Sequence, residues 1–463
     1  MRATIAEDGR GIIDSDGKRV GWDDPRVVFV WPVPTSPYLS GMLGVLFTKW
    51  GFRFRDCGEM SYEVLQYGKK ICTGRECMAF NAMAGATYKD MIFTKREEEI
   101  ALYLCLDQVG PCENGAWPVI YDAFLERTPV QNAIPMVWVG RENRFLGKGL
   151  PFVREYIYPF VLSDLVEEAQ SSLRCLARDP QQALAVFAQE TARLVESFRL
   201  GPQGIEAATR EWASALGRVP RARSLAEVPK ILLIGGLNLQ FTQRPIMDTF
   251  AEQGVIAKAL GMSESVLLIV SEPLVRASFA RGVVSAERQF DLWSHLLTFA
   301  YLGIKSRLRP LVKLSAADRE RRRALNSRFV VHYIESVEKR LRKVASPSLL
   351  LYDEHVSLAR LAALGHRYLS FNAFTESTPV VGRYLAAADS GIFDGLVSVG
   401  NFNCQPAQNA LAVIRAIADR SDIPFVGLDC DSHVLSPNQL RLLETLLMQA
   451  RRQHRLRQIE TTC

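Results

Sequence analysis

Short apolar runs alternate with stretches of helical spacing along most of the chain. Arg26–Trp31 (RVVFVW), Phe52–Cys57, Glu98–Asp107 (EEIALYLCLD) and Ile134–Gly140 have strand length and are nearly continuous in apolar residues. That pattern fits strands buried on both faces of a parallel sheet rather than strands with one wet side. Between them, Tyr38–Trp50, ending at Gly51, and Trp117–Arg127 repeat apolar residues at helical intervals. Ahead of this rhythm, Gly11–Gly21 predicts a small hairpin turning at Asp16-Gly17. From Arg154 to Leu216 the spacing is helical almost throughout.

The proline-bracketed stretch Pro220–Pro229 reads as a connection, after which the alternation restarts. Lys230–Gly235, Val266–Val270, Leu349–Tyr352, Gly395–Val399 and Pro424–Asp429 read as strands. Pro245–Gly254, Thr378–Ser390, Gln405–Arg420 and Ser436–Arg452 read as helices, and residues 287–344 as a charged helical insertion. The expectation is an α/β protein made of two doubly wound parallel-sheet domains with helical insertions and a site in the cleft between them. The predicted divisions are an N-terminal hairpin segment (1–24), a first α/β domain with C-terminal helices (25–224), a second with a helical insertion (225–450), and a basic tail (451–463) whose polar end after Arg457 frays.

Composition narrows the function classes. With 463 residues, 48% of them hydrophobic and 23% charged, the chain is long enough for several packed domains and is not disordered. A formal net charge of +6 is too mild to argue for nucleic acid. Residues 1–24 are polar without an apolar leader, and no run has the length of a membrane span. The expected compartment is the cytoplasm, where cysteines stay reduced.

Nine cysteines stand out in that setting. None form a CxxC pair, which argues against a zinc ribbon or a thioredoxin-type site. Three share a local context. Cys112 follows a predicted strand at Gly110-Pro111 and precedes a helix, Cys404 lies between a strand and a helix at Asn401-Phe-Asn-Cys-Gln-Pro, and Cys77 follows the Thr73-Gly74 turn before a helical stretch. Such loops at the carboxyl ends of strands are where open α/β sheets bind ligands. Helix N-termini favour negative charge, which suits thiolate-ligated iron–sulfur clusters. The competing reading, cysteine as core filler, covers Cys175 and Cys430 and also bears on Cys105. Cys463 is terminal.

At these residues the sequence resembles a known family. Gly68-Lys-Lys-Ile-Cys-Thr-Gly-Arg-Glu-Cys77, the strand ending in Gly110-Pro-Cys112, Lys230–Gly236, Val381-Gly-Arg383, and Phe393–Val397 followed by Phe402-Asn-Cys404-Gln-Pro are similar in order and spacing to the 2-hydroxyacyl-CoA dehydratase and benzoyl-CoA reductase family. The likeness is to its activase-associated and double-cubane branches. It implies an iron–sulfur cluster, [4Fe-4S] or a double cubane, held by Cys77, Cys112 and Cys404. It also implies an ATP-dependent activase or another low-potential electron donor, an acyl-CoA or other small substrate, and a homo- or hetero-oligomer. Cys72, Cys57 and Cys105 are the additional ligands a double cubane would need. Glu113-Asn114 stands where the family has Arg-Phe, and Gln405 where it has Met.

Other candidates are weaker. Glu113, Gln405, Glu376 and His433 could line the cleft, although capping accounts equally well for Glu376. Gly235-Gly236 is not a dinucleotide fingerprint, and no GxxxxGK[ST] loop is present, so any ATP hydrolysis belongs to a partner. The basic run Arg319, Arg321, Arg322 and Arg323 reads as a solvated helix face or as a docking patch for an anionic ligand or donor. Three function classes follow: an iron–sulfur enzyme, a non-catalytic electron-relay or scaffold subunit, and a metal-free small-ligand binding module.

Overall fold

Two parallel sheets, each of four strands, organise the chain. The structure, a computed structural model, describes residues 1–33, 35–105, 112–140, 143–235, 243–279, 292–307, 315–370, 376–419, 421–431 and 434–462. A three-stranded antiparallel sheet precedes them, β1 (Thr4–Ile5), β2 (Ile12–Ile13) and β3 (Arg19–Val20), with β2 and β3 forming the expected hairpin. The first parallel sheet holds β4 (Val27–Trp31), β5 (Arg53–Asp56), β6 (Ile100–Leu104) and β7 (Ala133–Val137) in the order β5-β4-β6-β7. The second holds β8 (Lys230–Ile234), β9 (Ile256–Ala259), β10 (Gly395–Asn401) and β11 (Phe425–Cys430) in the order β11-β10-β8-β9. Numbered within its own sheet, each set runs 2-1-3-4. Each therefore has one place where the chain reverses its direction of winding: between β4 and β6 in the first sheet, and between β8 and β10 in the second.

The second sheet is covered on both faces, as its apolar strands require. Ile231 and Leu233 of β8 pack with Phe250 and with Leu443, Leu446 and Leu447 of the helix Pro437–Thr462. Leu232 and Ile234, pointing the other way, pack with Val380, Val381 and Tyr384 of the helix Ser377–Ser390 and with Ala410 and Ile414 of the helix Gln405–Ala418. This period-2 division is what a strand buried on both sides demands. The first sheet shares one large core with the helices Pro37–Lys49 and Tyr158–Leu176, in which Phe29, Phe47, Trp31 and Phe160 are fully buried. The first of these helices opens with the Ser36 hydroxyl accepting the Tyr38 N–H and with Pro37 at its first position.

Three expectations fail for identifiable reasons. Val266–Val270 is not a strand but the middle of the helix Met262–Phe279, since an apolar run of this length fits either a buried strand or a buried helix. The edge strand is instead β9, whose apolar pattern Lys258 interrupts. Leu349–Tyr352 forms no strand. Leu349 takes a left-handed conformation (φ 54°), and the N–H groups of Tyr352 and Asp353 donate to Glu168 Oε1 at 2.8 and 3.0 Å rather than to a neighbouring strand. The last helix does not stop at Arg452 but runs on to Thr462, and Arg457 donates to the carbonyl of Gly391 at 3.1 Å.

Candidate functional site

Cys77, Cys112 and Cys404 each stand immediately before a helix. Cys77 is the N-cap of Met78–Lys89, Cys112 precedes the 3-10 turn Glu113–Ala116 that feeds Trp117–Arg127, and Cys404 is the N-cap of Gln405–Ala418. Cys112 belongs to the loop leaving β6 and Cys404 to the loop leaving β10, so both lie at the carboxyl-end crevice of a winding reversal. Gly110 and Pro111, part of the same motif, lie outside the described residues.

The three segments meet. The Met78 N–H donates to the carbonyl of Phe402 at 3.1 Å, and Asn403 Nδ2 donates to the carbonyl of Arg75 at 3.2 Å. These bonds join the start of a first-half helix to the loop that carries Cys404. Asn403 sits at φ 60°, a left-handed conformation that Asn tolerates better than most residues, and this turns the chain from β10 into the helix. Glu113 Oε2 accepts the N–H of Cys77 at 2.8 Å, fixing the Cys77 loop against the Cys112 loop.

All three thiols are held toward the neutral form. Burial pushes Cys77 up to about 12, with Glu113 and Cys112 adding to the rise and the N–H groups of Phe80 and Ala79 opposing it. Burial pushes Cys112 up to about 11, with the Asn114 N–H opposing and Glu376 and Glu113 adding. Cys404 is raised by burial first and Glu376 second, then by Cys77 and Cys112, with the Ala407 N–H opposing. Each sulfur thus faces the first turn of its own helix and feels the other cysteines or a shared carboxylate.

The remaining candidates separate. Cys72 joins the group electrostatically: burial raises its thiol most, followed by Glu76, Cys77 and Glu113. Cys57 does not join, since its neighbours are Arg55 and Asp56 at the end of β5 and Asp90, which follows the helix Met78–Lys89. Cys105 is buried in the core, 4.0 Å from the sulfur of Met83. Glu376 is 5% exposed and directly precedes the helix Ser377–Ser390, where it makes no side-chain cap; the Ser377 hydroxyl donates to the Pro406 carbonyl at 2.7 Å, which brings this corner to the first turn after Cys404. Gln405 is exposed and bonds along its own helix to Asn409 at 2.8 Å. His433 lies outside the described residues. Cys430 is buried at the end of β11 and accepts from Gln439 Nε2 at 3.9 Å, and Cys175 is buried in a helix. The eight described cysteines are thiols outside any disulfide.

A cleft of about 420 Å³ opens between the start of the helix Pro37–Lys49 and the helix Gln243–Glu252. Its walls carry Tyr38, Glu59, Glu167, Arg174, Arg244 and Asp248. Arg244 pairs with Glu59 across the two halves, and Arg174 pairs with Asp248 at 2.5 Å. These helices follow β4 and β8, the strands on the other side of each winding reversal.

Sequence reading missed a buried ion network behind this face. Lys258 Nζ donates to Glu168 Oε2 at 2.7 Å and to Asp353 Oδ2 at 2.6 Å. Arg383 pairs with the same Asp353, while Arg342 bonds Glu168 at 3.1 Å and Glu338 at 3.0 Å, and Glu338 meets His355 Nδ1 at 2.8 Å. The available signal was a lysine inside an otherwise apolar strand and a glutamate pair inside an apolar helix, since charges so placed require partners.

Among the described residues no three His, Cys, Asp or Glu side chains close on one point in the manner of a single-ion site. No described helix is long and apolar enough to cross a membrane. No known protein-family model matches the chain, and no curated protein matches it.

Proposed function

We propose that this chain is an iron–sulfur protein whose cluster is held by Cys77, Cys112 and Cys404 in the crevice between two doubly wound domains. It receives low-potential electrons from an ATP-dependent activator and uses them to reduce or dehydrate a small substrate. The observation that carries the reading is the meeting of three helix-start cysteines from two parallel sheets, pinned by the Met78–Phe402 and Glu113–Cys77 hydrogen bonds. The donor set fits such a group. Three mutually repelling buried thiols are costly to ionise alone, whereas iron binds them as thiolates, and three helix N-termini favour a net anionic cluster. A cluster of several irons also takes thiolates set wider apart than the ligands of one ion.

The chain's own residues supply the rest. Cys72 stands beside the set as a reserve thiol. Glu113 orients the Cys77 loop, and its negative charge, where the resembled family carries a cation, disfavours adding electrons close by. The cleft carries Arg174 and Arg244, and an anionic substrate group would compete there with their carboxylate partners Asp248 and Glu59. When bound, the cluster would supply one-electron chemistry.

Anaerobic purification from iron-replete cells, with iron and sulfide assays and electron paramagnetic resonance, tests this. The expected result is several irons and sulfides per chain, with each of Cys77→Ser, Cys112→Ser and Cys404→Ser lowering the content and Cys175→Ser leaving it unchanged. Colourless protein without iron, together with a Cys112→Ser variant indistinguishable from the parent, overturns the reading.

A further inference from the structure

The face of the site turned toward the buried ion network contains a second, smaller space. It lies between the first turn of the helix Met262–Phe279 and the start of the helix Ser377–Ser390, with Leu267, Leu268, Val356 and Val380 on its walls and two carboxylates, Glu264 and Glu376. The room open to the centre of a water molecule is about 20 Å³. A single water needs roughly 10–15 Å³ measured this way, so the space holds one. Glu376 also borders a gap next to Gly235, Ser398 and Pro406, at the ends of β8 and β10 and the first turn after Cys404. It therefore borders both the chamber and this corner, and its charge acts on Cys112 and Cys404.

We infer that this chamber is the proton supply of the cysteine site, with Glu264 taking up each proton and releasing it through one enclosed water toward the Glu376 wall. The inference rests on the proposed function, because moving electrons onto a substrate creates the need it meets. Reducing a carbonyl to an alcohol takes two electrons from the donor and two protons. Breaking a C–OH bond takes one proton, so that hydroxide leaves as water. A fixed carboxyl next to the site delivers them at a defined place rather than at random from bulk water. When Glu264 gives up its proton it is left as a carboxylate, which takes its next proton from bulk water.

The surroundings suit the role. The side chain of Glu264 is 22% exposed, and its closest cation is Arg383 Nε at 3.7 Å, a distance too long for a hydrogen bond. Arg383 is itself engaged with Asp353. The other groups facing Glu264 are Lys258 of β9, Glu338 of the helix Ala316–Ala345, Asp353 and, across the chamber, Glu376. Burial pushes the Glu264 carboxyl up to about 7, with Asp353 and Glu338 adding to the rise and Arg383 and Lys258 opposing it. A group so poised both takes and gives protons near neutrality.

The test is Glu264→Gln in the full chain, purified anaerobically, with two readouts. Infrared difference spectra between pH 6 and pH 8 should show neutral-carboxyl C=O bands disappearing in the parent, with Glu264→Gln removing one of them and leaving the Asp164 band, which Asp164→Asn removes instead. Electron paramagnetic resonance titration of the reduction potential should show a fall with rising pH through 7 in the parent and a flat response in Glu264→Gln, with Glu264→Asp restoring part of the slope. An iron-loaded Glu264→Gln protein that keeps the parental pH dependence overturns the proton chamber and leaves the iron–sulfur reading standing. A chain that carries no iron overturns that reading, and the chamber with it.

Discussion

The carboxylate of Glu113 accepts the backbone N–H of Cys77 at 2.8 Å, so a residue following one site cysteine fixes the backbone of another 36 positions away. A charge-assisted bond of this kind to a partly buried N–H contributes about 1–2 kcal/mol. Glu113→Ala is expected to lower unfolding stability by that amount and Glu113→Gln by less, since the amide oxygen still accepts. Urea denaturation of the two variants beside the parent measures it.

A similar tie joins the halves elsewhere. Asp164 of the helix Tyr158–Leu176 accepts the N–H groups of Met262 and Ser263 at 2.8 and 2.9 Å, capping a helix in the other half of the chain. A Cβ at Gly261 would lie 2.2 Å from Asp164 Oδ2, so Gly261→Ala is expected to cost about 1–3 kcal/mol. A fall in the thermal midpoint would show it.

Burial pushes the Asp164 carboxyl from 3.8 up to about 7, with Ser263 opposing. Between those values the folded chain holds a proton that the unfolded chain has lost. This contribution is therefore fully present below about pH 4 and disappears as pH rises through 7. Asp164→Asn should flatten the decline in stability between pH 5 and pH 8 by an amount on the order of 1–2 kcal/mol. Urea unfolding of both proteins at the two pH values checks the sign and the size.

Lys258 is the cation on which two buried carboxylates depend. Its side chain is 7% exposed, and those of Glu168 and Asp353 are 0% and 4% exposed. Lys258→Met leaves Arg342 and Arg383 to serve both acids. The expected loss is about 3–5 kcal/mol, the range for removing one partner of a buried pair, because the remaining charges stay buried without full compensation. The loss should appear as lower soluble yield and an earlier urea midpoint, and pairing the change with Asp353→Asn should recover part of it.

The helices Leu358–Gly365 and Ser377–Ser390 cross with a glycine on each. A Cβ on Gly382 would lie 1.9 Å from the Leu361 carbonyl oxygen, and one on Gly365 would lie 1.9 Å from that of Thr378. Gly382→Ala should force the pair apart at a cost of about 1–3 kcal/mol. Since Glu376 directly precedes the second helix, the same change should shift the Glu376 corner. Hydrogen exchange at residues 376–382 is expected to speed up in the variant, with exchange in β4 and β6 unchanged.

Much of the α/β plan could be read from the chain because strands such as Val27–Trp31 and Lys230–Ile234 are buried on both faces and leave unbroken apolar runs. The setting of Cys77, Cys112 and Cys404 could be read because turn glycines and helix starts have local signatures. Lys258 hid β9 by breaking its apolar run, and Val266–Val270 imitated a strand inside a helix. Glu264 and Asp164 gave no local sign, because most of their surroundings come from segments distant in sequence, Asp353 and Arg383 for Glu264 and Met262 and Ser263 for Asp164. Burial by distant residues cannot be read from neighbours in the chain.

The shared 2-1-3-4 strand order has a mechanical consequence. Each half contributes a crevice of its own, but the thiols are divided unequally, with Cys77 and Cys112 on one side and Cys404 on the other. Any hinge motion that widened the gap between the halves would carry one sulfur away from the other two and strip the Met78 N–H from its carbonyl. Opening the molecule and dismantling the thiol triad are therefore one event, and whatever bridges all three sulfurs would act as the latch that keeps the halves closed.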